Sequence, residues 1–353
     1  MAVIACVERR SSSMRAVIAM RRREGSPGLA AATEKTRPPG APVRVGISAC
    51  LLGQAVRYDG GHKRNDFVTG LLARYVTFVP VCPEVELGLG TPREPVRLER
   101  AGKAVRLVAP GSGKDHTEAM RSLAERRVAE LARMELSGFI LKKDSPSCGM
   151  ERVRLWGGTA PARTGRGAFA AVLMERLPLL PVEEEGRLSD LALRENWVER
   201  VFAHGRLRDL LGRRWSLGDL IRFHSREKLL LLAHDPETYR KLGRLVARAR
   251  GVPREELARA YGEGFMRGLA RLATRGRQAN ALSHMAGYVK ELARADERRE
   301  LAESIDEYRR GLIPLIVPVT LVRHHVRRHG IEYLAGQSYL EPHPRELMLR
   351  NHA

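Results

Sequence analysis

The sequence predicts an α/β N-terminal domain, arranged as a Rossmann-like three-layer fold around a parallel sheet, followed by an all-α helical domain. Three short β-rich runs near the start alternate with a segment of helical spacing. Strands that alternate with helices are typical of a parallel sheet. Further along the chain, Leu, Ala and Arg recur at helical spacing, which predicts the second, helical domain.

The three β-rich runs are VRVGISAC, VTFVPVC and LSGFILKK, at residues 43–50, 76–82 and 136–143. Val, Ile and Phe are frequent in strands, so each run is predicted to form one strand of the sheet. Residues 115–136 place apolar side chains at helical spacing, and Asp115 or Thr117 is expected to cap this helix.

Three segments are expected along the chain. Residues 1–43 show little pattern and end in RPPGAP, which is typical of a flexible leader. Residues 44–180 are expected to form the α/β domain, and residues 204–350 the helical domain. The helices of the second domain are expected to break at Pro236, Gly251, Pro253 and Pro314.

The composition restricts the class of protein. The chain has 353 residues, and its 62 Lys and Arg exceed its 41 Asp and Glu, for a net charge of +21. This surplus favours polyanionic partners such as nucleic acid, although an Arg-rich composition produces the same bias without a partner. Four cysteines are too few for a disulfide-stabilised secreted domain. No apolar run approaches the roughly 18 residues of a membrane span, so a cytoplasmic protein without a membrane partner is expected.

Three of the cysteines follow the β-rich runs. Cys50 lies in SACLLG, Cys82 in VCPEV and Cys148 in SPSCG, each beside Gly, Pro or Ser residues that bend the backbone. The carboxyl ends of parallel strands lie at one edge of a sheet, so the three thiols are expected to converge there. Two interpretations remain open: buried structural thiols, or thiolate ligands of a metal. Sequence separations of 32 and 66 residues exclude a compact zinc knuckle, and no chemistry is expected from Cys6.

The motifs around these cysteines carry a family resemblance. SACLLGQAVRYDGGHKRN, PVCPEV and LKKDSPSCG resemble the three signatures of the thiouracil desulfidase family, over about residues 44–175. The resemblance implies a 4Fe-4S cluster held by Cys50, Cys82 and Cys148, with a fourth iron that receives the sulfur of a thiocarbonyl. One departure is visible: the chain reads ELGLG after CPEV, where the family tends to have a Gly-Gly pair.

The second half carries a resemblance of its own. Segments such as FHSREKLLLLAHDPETYRKLGRLV and AGQSYLEPHPREL resemble the helical domain that often follows the desulfidase domain. The whole architecture resembles the bacterial tRNA 4-thiouridine desulfidases, which implies tRNA as a partner; no DNA partner is expected, and the oligomeric state stays open. Residues 204–290 hold 19 basic and 8 acidic side chains, which agrees with an RNA-binding role.

Three side chains near the cysteines are candidates for catalysis. Glu84 lies in the CPE motif and is expected to be the general base that activates water for attack on C4 of the base, although an acidic residue there can also serve a helix start. Ser145 and Ser147 are expected to orient the base or to donate a hydrogen bond to N3 or to the sulfur. The reaction is expected to be hydrolytic, without electron transfer, and to give uridine and hydrogen sulfide.

Other polar residues receive weaker assignments. Lys142, Arg57 and Arg64 are candidate substrate contacts, because cations beside the cysteines can anchor phosphate or a uracil oxygen. Asp59 is a fourth candidate substrate contact. His62 is interpreted as a surface residue. The HHVRRH run is interpreted as a solvated basic face and not as a metal site; its histidines are His324, His325 and His329.

Two alternative functions remain open. A desulfidase of free thiouracil or of another small thioamide would use the same cysteines, but it would not need a basic helical domain. A non-catalytic iron-sulfur sensor or RNA-binding protein would not need Glu84 or the serines.

Overall fold

The computed structural model describes residues 43–158 and 160–351. Residues 1–42 of the expected leader, with Cys6, lie outside the described residues. Nine strands are found in the described part of the chain: β1 Val43–Ser48, β2 Val76–Val81, β3 Arg97–Ala101, β4 Ala104–Ala109, β5 Lys114–Asp115, β6 Gly138–Leu141, β7 Val153–Trp156, β8 Ala162–Gly165 and β9 Val182–Glu184.

A four-stranded parallel sheet forms the centre of the N-terminal domain. Its strand order is β2-β1-β6-β9, and each neighbouring pair is parallel. Val45 of β1 lies between Phe78 of β2 and Gly138 of β6. The three predicted strands are therefore β1, β2 and β6, and their carboxyl ends, which precede the three cysteines, lie at the same edge of the sheet.

In the same described part of the chain, eleven α-helices accompany the strands: α1 Pro83–Glu86, α2 Thr117–Arg133, α3 Ala168–Arg176, α4 Leu191–Leu211, α5 Leu217–His234, α6 Pro236–Ala247, α7 Arg254–Leu269, α8 Arg275–Val289, α9 Ala295–Arg310, α10 Ile316–His329 and α11 Glu332–Ala335. None of them is both long and apolar enough to cross a membrane.

Helices cover both faces of the parallel sheet. On β6, Phe139 packs with the apolar sides of α2 and α3, and the next residue, Ile140, packs on the opposite face with Trp197 and Val201 of α4. This alternation follows from the two-residue period of a strand buried on both faces. The arrangement confirms the predicted α/β fold, and the predicted helix is α2. Its N-cap is His116, which makes no side-chain cap, and not Asp115 or Thr117 as expected; Asp115 Oδ1 accepts the amide of Thr117 at 2.9 Å from one residue before the cap.

A second sheet was not predicted from the sequence. It contains five strands in the order β5-β4-β3-β7-β8, and all its pairings except β3 with β7 are antiparallel. Its strands are short and carry many charged residues, so they lack the apolar runs that mark the parallel strands. The sheet contributes Leu98, Leu107 and Leu155 to the core beneath α2.

Helices α4 to α11 form the predicted helical region around a separate apolar core. Proline and glycine interrupt it as expected: Pro236 is the first residue of α6, Gly251 and Pro253 lie between α6 and α7, and Pro314 lies between α9 and α10.

The helix α4 crosses the interval between the two expected domains. Its first half places Trp197 and Val201 against the parallel sheet, while Leu207 and Leu210 of its second half belong to the helical core. Trp197 Nε1 also donates to the carbonyl of Pro181 at 3.1 Å. One continuous helix is therefore part of both cores.

Candidate functional site

Three cysteines surround a cavity of about 320 Å³ at the carboxyl edge of the parallel sheet. Cys50 lies in the short 3-10 turn after β1, Cys82 directly follows β2, and Cys148 lies in the turn after β6. All three are free thiols. The convergence expected from the three strand ends is therefore present.

The SPSCG turn is held by its own polar groups. Ser145 Oγ accepts the amide of Ser147 at 3.3 Å and that of Cys148 at 3.0 Å, and the amide of Gly149 donates to the Ser145 carbonyl at 2.8 Å. A Cβ atom on Gly149 would lie 2.9 Å from that carbonyl oxygen and 2.3 Å from Val153 Cγ2. Only glycine fits this position, so the motif shapes the backbone that presents Cys148.

Burial disfavours the thiolate form of all three cysteines. Burial raises the pKa of Cys50 to about 11, against the opposing effect of the Lys142 ammonium. Burial also raises the pKa of Cys82, and it raises the pKa of Cys148 well above its ordinary value. Because metals bind the thiolate, occupation of this site releases protons into the solvent.

Glu84 is held between a serine and an arginine. Its Oε1 accepts from Ser147 Oγ at 2.8 Å, and its Oε2 accepts from Arg93 Nε at 2.9 Å and Nη2 at 2.5 Å. The two charged side chains are only 13% and 5% exposed, respectively. Arg93 Nη1 donates to the carbonyls of Val56 and Gly90, both at 2.9 Å. The guanidinium therefore compensates the buried carboxylate and fixes its orientation at the cavity wall.

A second, partly buried ion pair holds Lys142, which also lines the cavity. Lys142 Nζ contacts Glu185 Oε1 at 2.5 Å, and the amide of Lys143 donates to Glu185 Oε2 at 2.7 Å. The amide of Lys142 donates to Ser48 Oγ at 2.9 Å, which ties the end of β6 to the end of β1. Lys142 thus faces the cavity while its charge is compensated.

The structure separates the predicted site residues into two groups. Glu84, Ser145, Lys142 and Arg57 line the cavity with the cysteines, whereas Ser147 lies behind Glu84 and is fully buried.

Asp59 and Arg64 do not line this cavity. Asp59 accepts from Arg57 at 3.3 Å and so positions that guanidinium; Arg64 is 60% exposed and donates to Thr69. His62 is exposed, as interpreted from the sequence.

Three residues that build the site were missed by sequence reasoning: Ser48, Arg93 and Glu185. Glu185 directly follows β9, so the rule that placed the cysteines at strand ends could have found it once that strand was recognised. Arg93 lies in an irregular TPREP segment, and sequence spacing does not predict its ion pair with Glu84.

The interpretation of the HHVRRH run was wrong for one residue. His324 is exposed, but His325 is only 2% exposed and packs against its neighbours. Its position on α10 turns it inward, one helical turn from His329. The run is therefore not a uniformly solvated face.

Comparisons with known proteins identify two regions of the chain. A family model described as 2-thiouracil desulfurase matches residues 45–185, and one described as a protein of unknown function, DUF1722, matches residues 228–344. The uncharacterized protein YbgA of Escherichia coli (strain K12) is 35% identical over 153 residues, which are 43% of this chain and 90% of YbgA. The uncharacterized protein YbbK of Bacillus subtilis (strain 168) is 32% identical over 136 residues, which are 36% of this chain and 88% of YbbK.

A solved structure, the 4Fe-4S-dependent thiouracil desulfidase TudS, is 34% identical; the match covers 44% of this chain and 99% of TudS, with a TM-score of 0.37. Both curated relatives exceed 30% identity over most of their own length. The first family model spans all three cysteine motifs. The chain therefore belongs to the 2-thiouracil desulfurase family, with a DUF1722 segment following the desulfurase region.

Proposed function

We propose that this protein is an iron-sulfur-dependent desulfidase that removes the sulfur of 4-thiouridine in tRNA by hydrolysis, giving uridine and hydrogen sulfide. The observation that carries the proposal is the convergence of Cys50, Cys82, Cys148 and Glu84 on one cavity. The family description supports a thiolated uracil as the substrate class.

The residues of the cavity fit a 4Fe-4S cluster, the cofactor in the name of TudS. Three free thiols from three separate turns are the donor set that such a cluster uses, and a cluster held by three cysteines has one iron without a protein ligand. A single zinc, with Zn–S bonds of about 2.3 Å, would instead need sulfurs roughly 4 Å apart. Among the described residues, the three sulfurs do not form a group with all members within 4.8 Å of one another.

The protein side chains supply proton transfer and orientation. When bound, the cluster would supply a soft Lewis acid for the thiocarbonyl sulfur. Glu84 Oε1 accepts one hydrogen bond from Ser147 and retains a lone pair that can take a proton from water. Ser145, Lys142 and Arg57 face the same space and can orient the base. Water oxygen replaces sulfur at an unchanged oxidation level of carbon, so the reaction needs no electron donor.

The helical region supplies the reason for proposing tRNA as the substrate. Residues 240–250, which run from the middle of α6 to just beyond its end, carry five exposed basic side chains: Arg240, Lys241, Arg244, Arg248 and Arg250. Such a group can neutralise backbone phosphates. A base that reacts inside a cavity must first unstack from its neighbours, which costs a few kcal/mol. Binding of the surrounding RNA by the protein offsets that cost.

The direct test is nucleoside analysis of tRNA containing 4-thiouridine, before and after anaerobic incubation with the full chain carrying its cluster. We expect 4-thiouridine to be lost and uridine and sulfide to appear in equal amounts. The Cys82→Ser variant should lose both the cluster and the activity, whereas Cys6→Ser should keep both. Purified protein should contain about four irons per chain; stoichiometric zinc without acid-labile sulfide would contradict the proposal.

A second candidate is a desulfidase of free thiouracil, which the family description favours. The same incubation with free 4-thiouracil and 2-thiouracil separates the two. Loss of sulfur from the free bases with intact 4-thiouridine in tRNA would select this second function.

A further inference from the structure

A group of three potential metal ligands lies in the helical region, apart from the cysteine cavity. Glu297 is in the first turn of α9, and His325 and His329 are one turn apart on α10. One ligand atom from each of the three lies within 4.8 Å of the other two. The two imidazole rings stack almost parallel, at 9°, with centroids 5.9 Å apart. The spacing of four residues places both rings on the same face of the helix.

The histidine nitrogens of this group lack hydrogen-bond partners. His325 is 2% exposed, and within residues 43–158 and 160–351 neither of its ring nitrogens has a partner; the same holds for Nε2 of His329. A buried polar atom left without a partner destabilises the folded state. A bound cation would satisfy one nitrogen of each ring together with the carboxylate.

The charges around the group are compatible with a cation. A cavity of about 660 Å³ opens beside it and is lined by four carboxylates and three guanidinium groups. Acidic groups therefore outnumber guanidinium groups here, although the whole chain is strongly basic. Two guanidinium groups compete for the same carboxylate oxygen: Arg328 Nη1 lies 2.7 Å and Arg294 Nε 3.7 Å from Glu297 Oε1. Because the Arg328 side chain is 49% exposed, it can turn into solvent when a cation takes its place. Glu297 Oε2 accepts the amide of Arg294 at 2.9 Å, which holds the carboxylate in position.

We propose that Glu297, His325 and His329 form a second metal site that binds a divalent transition metal of the Zn²⁺ class. Two imidazoles and one carboxylate are a donor set that zinc uses in sites with three protein ligands, which leave the fourth position for water or another ligand. The donor set contains no thiolate, so the site is chemically distinct from the cysteine cavity. It links α9 to α10, and metal binding therefore stabilises the packing of these two helices.

The test is zinc binding by the full chain with its cluster in place, so that the three thiolates are occupied. After equilibrium dialysis against Zn²⁺ and metal analysis, we expect one zinc per chain. His329→Ala and Glu297→Gln should weaken zinc binding by about tenfold or more, since even the loss of an outer-shell partner weakens metal sites by about 10–100-fold. The exposed His284 on α8 provides a matched control, and His284→Ala should bind zinc as the wild type does.

Arg328→Gln separates a metal site from a structural ion pair. If Arg328 competes with the metal, its removal should tighten zinc binding. If Glu297 serves only as the ion-pair partner of Arg328, the variant should lose thermal stability without any gain in zinc affinity. His329 is only partly buried, so its replacement tests the site even where His325→Ala fails to fold. Equal zinc content in the wild type and in His329→Ala would overturn the proposal, as would weaker binding by Arg328→Gln.

Discussion

Replacing Glu84 by Gln should remove most of the turnover while leaving the cluster in place. Gln keeps the size of the side chain and can still accept from Ser147, but it cannot take a proton from water at neutral pH. General bases contribute about 10²–10⁴-fold in rate, so a loss of that size is expected. None of the three cysteines is altered, and Glu84 is not among the donors of the thiolate set.

The same change also has a cost in stability, which can be worked from the contacts of Arg93. The guanidinium and carboxylate are both nearly buried, and leaving one charge of a buried pair without its partner costs about 3–5 kcal/mol. Arg93 retains the carbonyls of Val56 and Gly90, each at 2.9 Å, so we expect the lower end of this range. The double variant Glu84→Gln/Arg93→Met removes both charges and should recover much of the lost stability.

The assay is a double-mutant cycle read in two ways: thermal unfolding, and desulfuration of a thiolated uracil at equal iron content. Stability should return in the double variant while activity stays low, since the base is still absent. Glu118→Gln, on the exposed side of α2, is the matched control and should change neither property. Full activity in Glu84→Gln would refute the assignment of the base, and activity restored by the second mutation would show that only folding was affected.

Three further predictions follow from other parts of the molecule. Gly149→Ala should abolish cluster binding because its Cβ would meet the Ser145 carbonyl oxygen at 2.9 Å, whereas Gly287→Ala, with nothing within 4 Å, should retain the iron; iron analysis checks both. Burial and the neighbouring Glu199 carboxylate raise the pKa of Glu195 above its ordinary value, so its contribution to stability is present below that ordinary value and is lost as the pH rises through the raised pKa. In urea unfolding, the free energy of unfolding of Glu195→Gln should therefore rise relative to that of the wild type as the pH increases. If residues 240–250 bind tRNA phosphates, Arg244→Gln should reduce the log–log salt slope of binding by about one; an unchanged slope would exclude this contact.

The sequence predicted the parts of the fold that depend on local pattern. β1, β2 and β6 are apolar runs paired in a parallel sheet, and α2 has clear helical spacing, so each was predicted near its observed position. The cysteines followed from topology, because the ends of parallel strands meet at one edge. These features need only short stretches of sequence and one general rule of chain connectivity.

The parts that were missed depend on contacts between distant residues. The second sheet has short, charged strands whose register is set by pairing and not by apolar pattern. The Glu84–Arg93 pair forms because an irregular loop returns to the helix after β2, and no periodicity marks such a return. His325 was misjudged because the charged residues around it dominate the run, while its own position on the helix faces inward.

The helix α4 fixes the distance between the sheet core and the helical core. A helix of its 21 residues is about 30 Å long and is rigid on the scale of a nucleotide. Because one end is packed into the sheet core and the other into the helical core, the spacing between the cysteine cavity and the basic side chains of residues 240–250 is fixed by the packing of the protein. An RNA held at that basic surface would therefore present to the cavity only nucleotides at one distance along its fold. If tRNA is the substrate, α4 would therefore help to select the position of the modified base by its distance from the site where the RNA is held.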